Sequence, residues 1–350
     1  MAEKVAELIY DEETKTYSMD PEQVVRDDVE KHHWLNTLRT ILRDWRLYLM
    51  LVPMLFVFIA WRYLPMYELL GSFKATEVGV PVADQLHIGF ASFKTLLFGT
   101  KDTTFYFWRA FRNTFLLSFY GLCFGFPMPI ILALFFNEIK SNIVRSTFQV
   151  LTYLPKFMST VVMTTLVTML VKESSGVSGV GVISQALQAM HIISPEVAST
   201  GLLRDPMFFR TIYQVSGIWE GAGYDSIVYF AAVIAISPTS YEAAQIDGAG
   251  KMAQMRYVVL PAILSTVVIM LITRIGSLLS IGYEKVLLLY DTSTYQTADV
   301  VSTFSYRLGM NGDTQQGMAS AAEMINNLIG MVLVIGANTI ARKASDVSLY

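Results

Sequence analysis

Residues 237–261 of this chain read SPTSYEAAQIDGAGKMAQMRYVVLP, a segment with well-spaced helix and turn signals. Ser237 is a residue type that caps helix N-termini, and Pro238 suits the first position of a helix. Asp247-Gly248 is a turn signal that lets the chain reverse direction. The segment is therefore predicted to fold as a helix–turn–helix over 238–259 and not as a slack connector.

Long apolar segments lie on both sides of this element. Its second helix is predicted to start after Gly250, and Pro261 is predicted to begin the next long helix. The segments long enough to cross about 30 Å of hydrocarbon as a helix run approximately over 47–66, 112–136, 148–171, 208–236, 262–282 and 318–340. Because a helix satisfies its own backbone hydrogen bonds in lipid, the predicted fold is an all-α integral membrane protein with six transmembrane helices.

The composition agrees with a membrane protein. The 350 residues are 53% hydrophobic and only 16% charged, whereas soluble domains carry about 25% charged residues. The net charge of −3 gives no reason to expect a nucleic-acid partner. The single cysteine, Cys123, excludes a disulfide framework within one chain, and the four histidines show no metal-ligand spacing. We therefore expect no metal site.

The distribution of Lys and Arg orients the predicted helices. With both termini inside, the inner segments 35–46, 137–147, 237–261 and 341–350 carry a higher density of basic residues than the outer segments 67–111, 172–207 and 283–317. The positive-inside rule therefore predicts cytosolic termini and a cytosolic helix–turn–helix. In the outer segments, 182–190 is predicted to form a short interfacial helix, and the polar stretch 291–316 is long enough to contact a partner.

These segments also predict how the chain is divided. The parts are a cytosolic N-terminal extension over 1–46, a first membrane helix over 47–66, an outer loop over 67–111, a core over 112–341 that contains the other five membrane helices and the helix–turn–helix, and a cytosolic tail over 342–350. The extension is rich in Asp and Glu and holds neither a long apolar run nor a cleavable signal peptide. It is predicted to be cytosolic chain, partly helical or disordered.

A spaced motif lies within the helix–turn–helix. It consists of Glu242-Ala243-Ala244, then Gly248 after three residues, then Val258 after nine, and Leu260-Pro261. In this motif and in its position between two membrane helices, the chain resembles the permease subunits of type I ABC importers. Their pattern has Ile where this chain has Val258, and Val keeps a β-branched apolar side chain there.

Motifs elsewhere narrow the resemblance, which covers nearly all of the chain from about Leu47 onward. Tyr63-Leu64-Pro65-Met66-Tyr67, Asn137-Glu138-Ile139 and Tyr153-Leu154-Pro155 are similar to motifs of the maltose-permease-like group that imports complex carbohydrates and oligosaccharides in Gram-positive bacteria. One departure is Ser184, near which that group has Asn. This difference implies that the outer loop contacts its partner differently.

The resemblance implies a set of roles and partners. The residues implied to couple the chain to an ATPase are Tyr241, Glu242, Ala243, Ala244, Asp247, Gly248, Leu260 and Pro261. Glu242 would meet a basic group in a cleft of one of two ATPase subunits, which would hold ATP and Mg²⁺, so this chain needs no cofactor. A second related permease and an extracellular, lipid-anchored binding protein carrying an oligosaccharide would complete the assembly. Its place would be among the lipids of a bacterial plasma membrane, in a Gram-positive cell.

Polar and aromatic side chains in the fourth and fifth predicted membrane helices are candidates for a substrate path. Such groups are costly in a membrane and usually face a cavity or a partner. Sugars are bound by aromatic rings and by polar groups that hydrogen-bond hydroxyls, and the resemblance places the sugar contacts of maltose-type relatives on these two helices. The candidates are Trp219, Glu220, Gly221, Tyr224, Arg274 and Ser277. The same residues could instead be interfacial aromatics, helix–helix contacts or an ion pair between Glu220 and Arg274.

Two alternatives remain open at this point. The first is an importer of the same architecture for another solute, such as an amino acid or phosphate, and only the motifs around Tyr63 and Tyr153 argue against it. The second is a channel or an intramembrane enzyme. The sequence holds no His-Glu-x-x-His, no Gly-x-Ser-x-Gly and no Gly-x-x-x-x-Gly-Lys-Ser/Thr motif. We therefore expect no catalytic residue in this chain and ATP hydrolysis on a partner subunit.

Overall fold

The computed structural model describes residues 8–11, 16–19, 43, 45–73, 89–99, 101–171, 181–310 and 315–344. A boundary after Tyr67 divides the chain into two compact units, Met1–Tyr67 and Glu68–Tyr350. Most of the predicted extension 1–46, part of the outer loop 67–111 and most of the tail 342–350 lie outside the described residues.

The described part of the N-terminal extension forms two short strands, β1 (Leu8–Asp11) and β2 (Thr16–Met19). They pair antiparallel, with Leu8 opposite Met19 and Asp11 opposite Thr16. The sequence analysis predicted helix or disorder for this region, and the strand pair is a difference from that prediction. The all-helical prediction is confirmed for the described residues from Trp45 to Ala344.

Helices follow one another along the rest of the described chain. The helices are α1 Trp45–Phe58, α2 Ala91–Phe98, α3 Lys101–Tyr120, α4 Pro127–Glu138, α5 Asn142–Tyr153, α6 Thr160–Val171, α7 Val182–Ala189, α8 Pro195–Thr200, α9 Pro206–Ile234, α10 Pro238–Ile246, α11 Lys251–Gln254, α12 Leu260–Ala262, α13 Leu264–Gly276, α14 Tyr283–Leu289, α15 Tyr295–Ala298, α16 Val301–Met310 and α17 Gln316–Ala344. Shorter 3₁₀ or π-helical turns extend or join them at Ile59–Tyr63, Leu64–Phe73, Gly121–Gly125, Leu154–Phe157, Leu202–Arg204, Met255–Val259 and Thr292–Thr294.

Three helical runs in the described residues are long and apolar enough to cross a membrane: Trp45–Phe73, Asp102–Glu138 and Gln316–Lys343. Three bent pairs raise the number to six if each pair is one span. The bends are 103° between Asn142–Phe157 and Thr160–Val171, 68° between Pro206–Ile234 and Pro238–Ile246, and 61° between Lys251–Ala262 and Leu264–Gly276. Six predicted segments and six possible spans therefore correspond, although half of the spans are not straight.

The third predicted segment, 148–171, is not one straight helix. Pro155 lies in a 3₁₀ turn that ends α5, and Met158 is extended, with φ −81° and ψ 146°. Proline cannot donate the backbone hydrogen bond that would continue the helix. A new helix then starts at Thr160, where the Ser159 hydroxyl accepts from the backbone N–H of Val162. The break was not predicted from the sequence, because the apolar pattern continues across it.

Two buried apolar clusters hold the second unit together. One joins α2, α3, α16 and α17, and the other joins α3, α6, α9 and α14 with the segment before α16. Their buried members are Leu96, Phe107, Ala110, Val301, Phe304, Ala321 and Ala322 in the first, and Leu117, Val167, Phe209, Val286, Leu289, Ala298 and Val300 in the second. Many other large apolar side chains on the long helices are exposed, as expected for surfaces that face lipid or another subunit.

Candidate functional site

The C-terminal end of α9 leads directly into the predicted helix–turn–helix. Pro238 occupies the first turn of α10, and Ser237 is its N-cap residue, as the sequence pattern predicts. The Ser237 hydroxyl lies 2.8 Å from the Thr239 hydroxyl and caps no backbone N–H. The start of the helix is therefore set mainly by proline, whose fixed φ suits a helical first turn.

The end of α10 is closed by backbone hydrogen bonds around Gly248. The Ala249 N–H donates to the Ala244 carbonyl at 2.9 Å, and the Gly248 N–H donates to the Gln245 carbonyl at 3.0 Å. This pair of bonds is a Schellman motif, which requires a left-handed residue after the helix. Gly248 supplies it with φ +76°. The glycine of the spaced motif therefore has a defined conformational role.

The second arm of the loop differs from its prediction at one point. Helix α11 starts after Gly250 as predicted, but the helical path continues through the π-helical turn Met255–Val259 to Ala262. Pro261 therefore lies inside a helical run and does not begin the fifth membrane helix, which starts at Leu264 after the break at Ile263. The wide turn before Pro261, closed by Leu260 N–H to the Met255 carbonyl, accommodates the proline ring within the helix.

The loop is anchored to the membrane helices by one apolar cluster and one ion pair. Tyr241 packs against the buried residues Val233, Val259 and Ile263, which belong to α9, the π-helical turn and the break before α13. Burial raises the pKa of the Tyr241 hydroxyl above its ordinary value. The Lys251 ammonium lies 3.2 Å from Glu138 Oε2, and Glu138 ends α4. These contacts tie the loop to α9 and to the α3–α4 run.

The outward surface of the loop exposes apolar and acidic side chains together. Glu242 and Ala243 are exposed. Ile246 is 86% exposed, and Met252 and Tyr257 are also largely exposed. Several large apolar side chains on this loop are therefore accessible to a binding partner. Leu260 and Pro261 are exposed as well, so the buried anchor of this arm is Val259 rather than the Leu-Pro pair.

A polar cavity of about 280 Å³ lies among the helices that flank this loop. Helix α9 contributes Tyr224, Asp225, Val228 and Tyr229, and helix α13 contributes Met270, Thr273, Arg274 and Ser277. Gly125, Phe126 and Pro129 of the α3–α4 run complete the wall. The cavity therefore combines aromatic rings with a carboxylate, a guanidinium and hydroxyls, a mixture suited to a ligand with both apolar faces and hydroxyl groups.

Neighbouring groups hold the cavity residues in place. The Tyr224 ring meets the Phe157 ring edge to face at 5.9 Å. A Cβ added at Gly121 would lie 3.9 Å from Arg274 Nη2 and 3.5 Å from Gln214 Oε1. The arginine therefore extends toward the α3–α4 run. Asn326 of α17 donates to the Leu279 carbonyl at 3.0 Å and supports the turn that follows Ser277.

The predicted substrate-path residues divide into two groups. Tyr224, Arg274 and Ser277 line the polar cavity, and a Cβ at Gly221 would lie 3.6 Å from Asp225 Oδ2. Trp219 instead lines a separate, almost wholly apolar cavity of about 360 Å³.

Glu220 is also engaged elsewhere than in the polar cavity. Its carboxylate accepts from the Lys285 ammonium at 2.8 Å, and both side chains are largely buried. The Glu220–Arg274 pair considered from sequence is replaced by this Glu220–Lys285 pair. Lys285 was not predicted because it follows the fifth membrane helix, so only the folded chain brings it to α9.

Several cavity residues, among them Asp225, Thr273 and Phe126, were absent from the predicted set. Asp225 and Thr273 could have been found, because a polar side chain inside a membrane segment is itself a signal. Phe126 carries no such signal, since it is one aromatic residue in an apolar run. Its place in the wall depends on the packing of α4 against α9.

Comparisons with known proteins give one family match and several similar proteins. The family model described as "Binding-protein-dependent transport system inner membrane component" matches residues 125–337. Protein LplB of Bacillus subtilis is 32% identical over 317 residues, which are 91% of this chain and 94% of LplB. The polygalacturonan/rhamnogalacturonan transport system permease protein YteP of the same organism is 31% identical over 304 residues, 87% of this chain and 90% of YteP.

Two solved structures contain chains whose fold is similar to that of this chain. One chain in a crystal structure of a bacterial ABC transporter involved in the import of the acidic polysaccharide alginate is 39% identical, with a TM-score of 0.76. The match covers 88% of this chain and 99% of that chain. A crystal structure of a bacterial alginate ABC transporter in complex with alginate pentasaccharide-bound periplasmic protein contains a chain that is 38% identical, also with a TM-score of 0.76, over 89% of this chain and 99% of that chain.

Proposed function

The chain belongs to the family of binding-protein-dependent transport system inner membrane components, and from that premise we propose that it imports an oligosaccharide, coupled through residues 237–261 to partner ATPases. The predicted resemblance to permeases of carbohydrate-type ABC importers is confirmed. The chain is a multi-pass membrane protein and a transport subunit.

The proposed assembly contains two permeases, two ATPases and a binding protein. ATP and Mg²⁺ bind to the ATPases in this proposal, and this chain carries no cofactor. A lipid-anchored extracellular binding protein delivers the sugar, and both termini of the permease lie in the cytosol of a Gram-positive bacterium. The periplasmic binding protein of the alginate complex and the Bacillus relatives support the delivery step and the cell type.

The substrate class is proposed from the relatives and from the chemistry of the polar cavity. YteP is described as a polygalacturonan/rhamnogalacturonan transport permease, and the structural relatives import alginate. The cavity places the Tyr224 ring beside the side chains of Arg274 and Ser277. A sugar offers hydroxyls to such polar groups and apolar ring faces to tyrosine.

One observation carries the coupling proposal. The Schellman-capped helix α10, with Ile246 exposed, stands at the inner end of α9, and the same loop continues into α13. Both membrane helices line the polar cavity. In the proposal, Glu242 and Ile246 dock into an ATPase cleft, and closure of the two ATPases moves α9 and α13 together because the loop between them is stiff.

The test compares valine at two glycines of the loop. Gly248 needs a positive φ, whereas Gly250 has φ −69° and open space around its Cβ position. A non-glycine residue in the left-handed region costs about 1–2 kcal/mol, and branching at Cβ adds to the strain. Gly248→Val should therefore disturb the cap, and Gly250→Val should not.

The readouts are sugar uptake by cells and stimulation of ATPase activity by the loaded binding protein, both at equal membrane expression. We expect Gly248→Val to lower both, by roughly 5–30-fold if the strain is felt in full, and Gly250→Val to leave both unchanged. Normal uptake and stimulation in Gly248→Val would disprove the coupling role. Solute flux through this chain with no ATPase present would instead favour a channel.

A further inference from the structure

A larger cavity lies at the opposite end of the membrane helices from the coupling loop. It has a volume of about 640 Å³, within the range of about 300–1,000 Å³ that is common for ligand sites. Its walls come from the first half of α3, from the segment that leads into α15, and from α16. The residues that carry the argument are Tyr106, Arg109, Ser293, Tyr295, Gln296 and Arg307.

The charge of this outer cavity is positive. Arg109 and Arg307 line it, and its lining contains no acidic residue. The Asp299 carboxylate, which both arginines approach, is fully buried and does not line the cavity. Arg307 donates both Nη1 and Nη2 to the two Asp299 carboxylate oxygens at 2.7 Å. Asp299 also accepts from the Thr303 hydroxyl at 2.8 Å, so its single charge is already committed to Arg307.

Arg109 is the second cation, and it has no equivalent partner. Its Nη2 lies 3.9 Å from Asp299 Oδ2, beyond hydrogen-bond distance. Its side chain is 16% exposed, and among the described residues no hydrogen bond from its guanidinium is found, including from its buried Nε. A buried donor without an acceptor is unfavourable by about 1–3 kcal/mol or more. Two guanidinium groups therefore share the single Asp299 carboxylate, and the recessed Arg109 makes no hydrogen bond to it.

Aromatic rings fix both guanidinium groups. The Arg109 guanidinium lies 4.8 Å from the centre of the Tyr106 ring, and that of Arg307 lies 4.8 Å from the centre of the Tyr295 ring. Tyr295 in turn stacks on Tyr290 at 4.9 Å. A guanidinium group that is already held in place loses little conformational entropy when it binds a carboxylate through two hydrogen bonds.

The remaining lining groups are neutral and polar. Ser293 and Gln296 offer a hydroxyl and an amide beside the tyrosine rings. The neighbouring Asp291 carboxylate accepts from the Ser293 backbone N–H at 3.0 Å and caps its own turn. The cavity thus joins two arginines that share one carboxylate, aromatic surface and neutral hydrogen-bonding groups, which together match a sugar ring that bears a carboxylate.

We propose that this outer cavity binds the carboxylate of a uronate residue in the incoming oligosaccharide, with Arg109 as the main anion-binding side chain. The inference rests on the proposed function and deepens it by naming an anionic sugar as the substrate class. The site is separate from the polar cavity between α9 and α13, and it would receive the sugar before that cavity does. The recessed position of Arg109 favours a small ligand over a protein surface.

The test uses the whole importer, with this chain co-expressed with its partner permease, ATPases and binding protein. The substrates are a mixture of oligouronates prepared from pectin and alginate, and the same mixture after its carboxyl groups are reduced to alcohols. Arg109→Gln removes the charge from the cavity. Arg112→Gln removes the same charge from the exposed side of the same helix and is the matched control, and Arg109→Lys keeps the charge without the fork.

We expect wild type to take up the oligouronates. Arg109→Gln should lower that uptake about tenfold or more, the loss expected for one charge-assisted hydrogen bond, with an intermediate value for Arg109→Lys and wild-type uptake for Arg112→Gln. The binding protein is the same in every arm, so its own preference cancels from the ratio of variant to wild type. Assembly of the complex, followed by gel filtration, should be unchanged in Arg109→Gln.

The other outcomes separate the possible failures. Uptake of the reduced mixture alone would overturn the anionic site and leave the proposed sugar import standing. Uptake of neither mixture would overturn both. Equal uptake in Arg109→Gln and Arg112→Gln would overturn the site. If Arg109→Gln weakens association with the binding protein, measured by pull-down, the cavity is a docking surface and the inference is wrong.

Discussion

The two ends of this permease, which the proposed orientation makes the inner and the outer end, are stiffened in different ways. At the inner end, the loop 237–261 keeps its shape through a backbone cap at Gly248 and a small apolar cluster around Tyr241, and its apolar tip is exposed. At the outer end, a buried network of side chains fixes the structure from several helices at once. The inner end is shaped locally and leaves a surface for a partner, whereas the outer end is shaped by contacts within the chain.

The outer network shows how this second kind of stiffness is built. Asn113 of α3 donates to the carbonyls of Gln296 at 3.1 Å and Asp299 at 3.0 Å. Arg210 of α9 donates to the Asn113 side-chain oxygen at 2.9 Å, and Arg307 of α16 is paired with the Asp299 carboxylate. Helices α3 and α9 and the segment that leads into α16 are therefore joined through polar groups, and the bonds made by Asn113 and Arg210 link residues that are distant in sequence.

The largest expected effect comes from breaking that network. Asp299→Asn removes the carboxylate that balances Arg307, and an uncompensated buried charge is unfavourable by about 3–5 kcal/mol. We expect a clearly lower melting temperature for the purified protein in detergent. Asp247→Asn, which changes an exposed carboxylate in the inner loop, should leave the melting temperature unchanged. Similar melting temperatures for the two variants would show that the ends do not differ as described.

A smaller effect is expected midway between the two ends. A Cβ at Gly223 would lie 2.1 Å from the Thr152 carbonyl oxygen, so α9 and α5 approach too closely for a side chain there. Gly223→Ala should destabilise the protein by about 1–3 kcal/mol, the usual range for overpacking. Gly221→Ala on the same helix is the control, because its Cβ would make only an ordinary contact at 3.6 Å. Thermal unfolding of both variants checks this, and equal stability would mean that the two helices can separate freely.

The inner loop was largely predictable because its signals are local. Pro238 and Gly248 each act through their own backbone conformation, and the structure starts and ends α10 where they predict. The sequence analysis misjudged the effect of two prolines, and both errors also have local causes. Pro155 interrupts a segment whose apolar pattern continues, and the π-helical turn before Pro261 carries the helix past a residue that was expected to begin it.

The polar sites were less predictable because they depend on contacts across the chain. Tyr224, Arg274 and Ser277 were found from their residue types and their distance to the loop motif, and they do share one cavity. The Glu220–Lys285 pair joins two helices that only the fold brings together. The role of Asp299 was missed for the same reason, since the sequence does not show which arginine it meets.

The proposed coupling depends on the exposed tip of the loop 237–261 receiving the ATPase. Co-purification of the ATPase with two variants tests this, Ile246→Asp in the loop and Met207→Asp at the start of α9, since both side chains are about equally exposed. We expect Ile246→Asp to lose the ATPase from the purified complex and Met207→Asp to retain it, with both proteins as stable as wild type. Retention of the ATPase by Ile246→Asp at wild-type stoichiometry would show that the loop tip does not hold the ATPase.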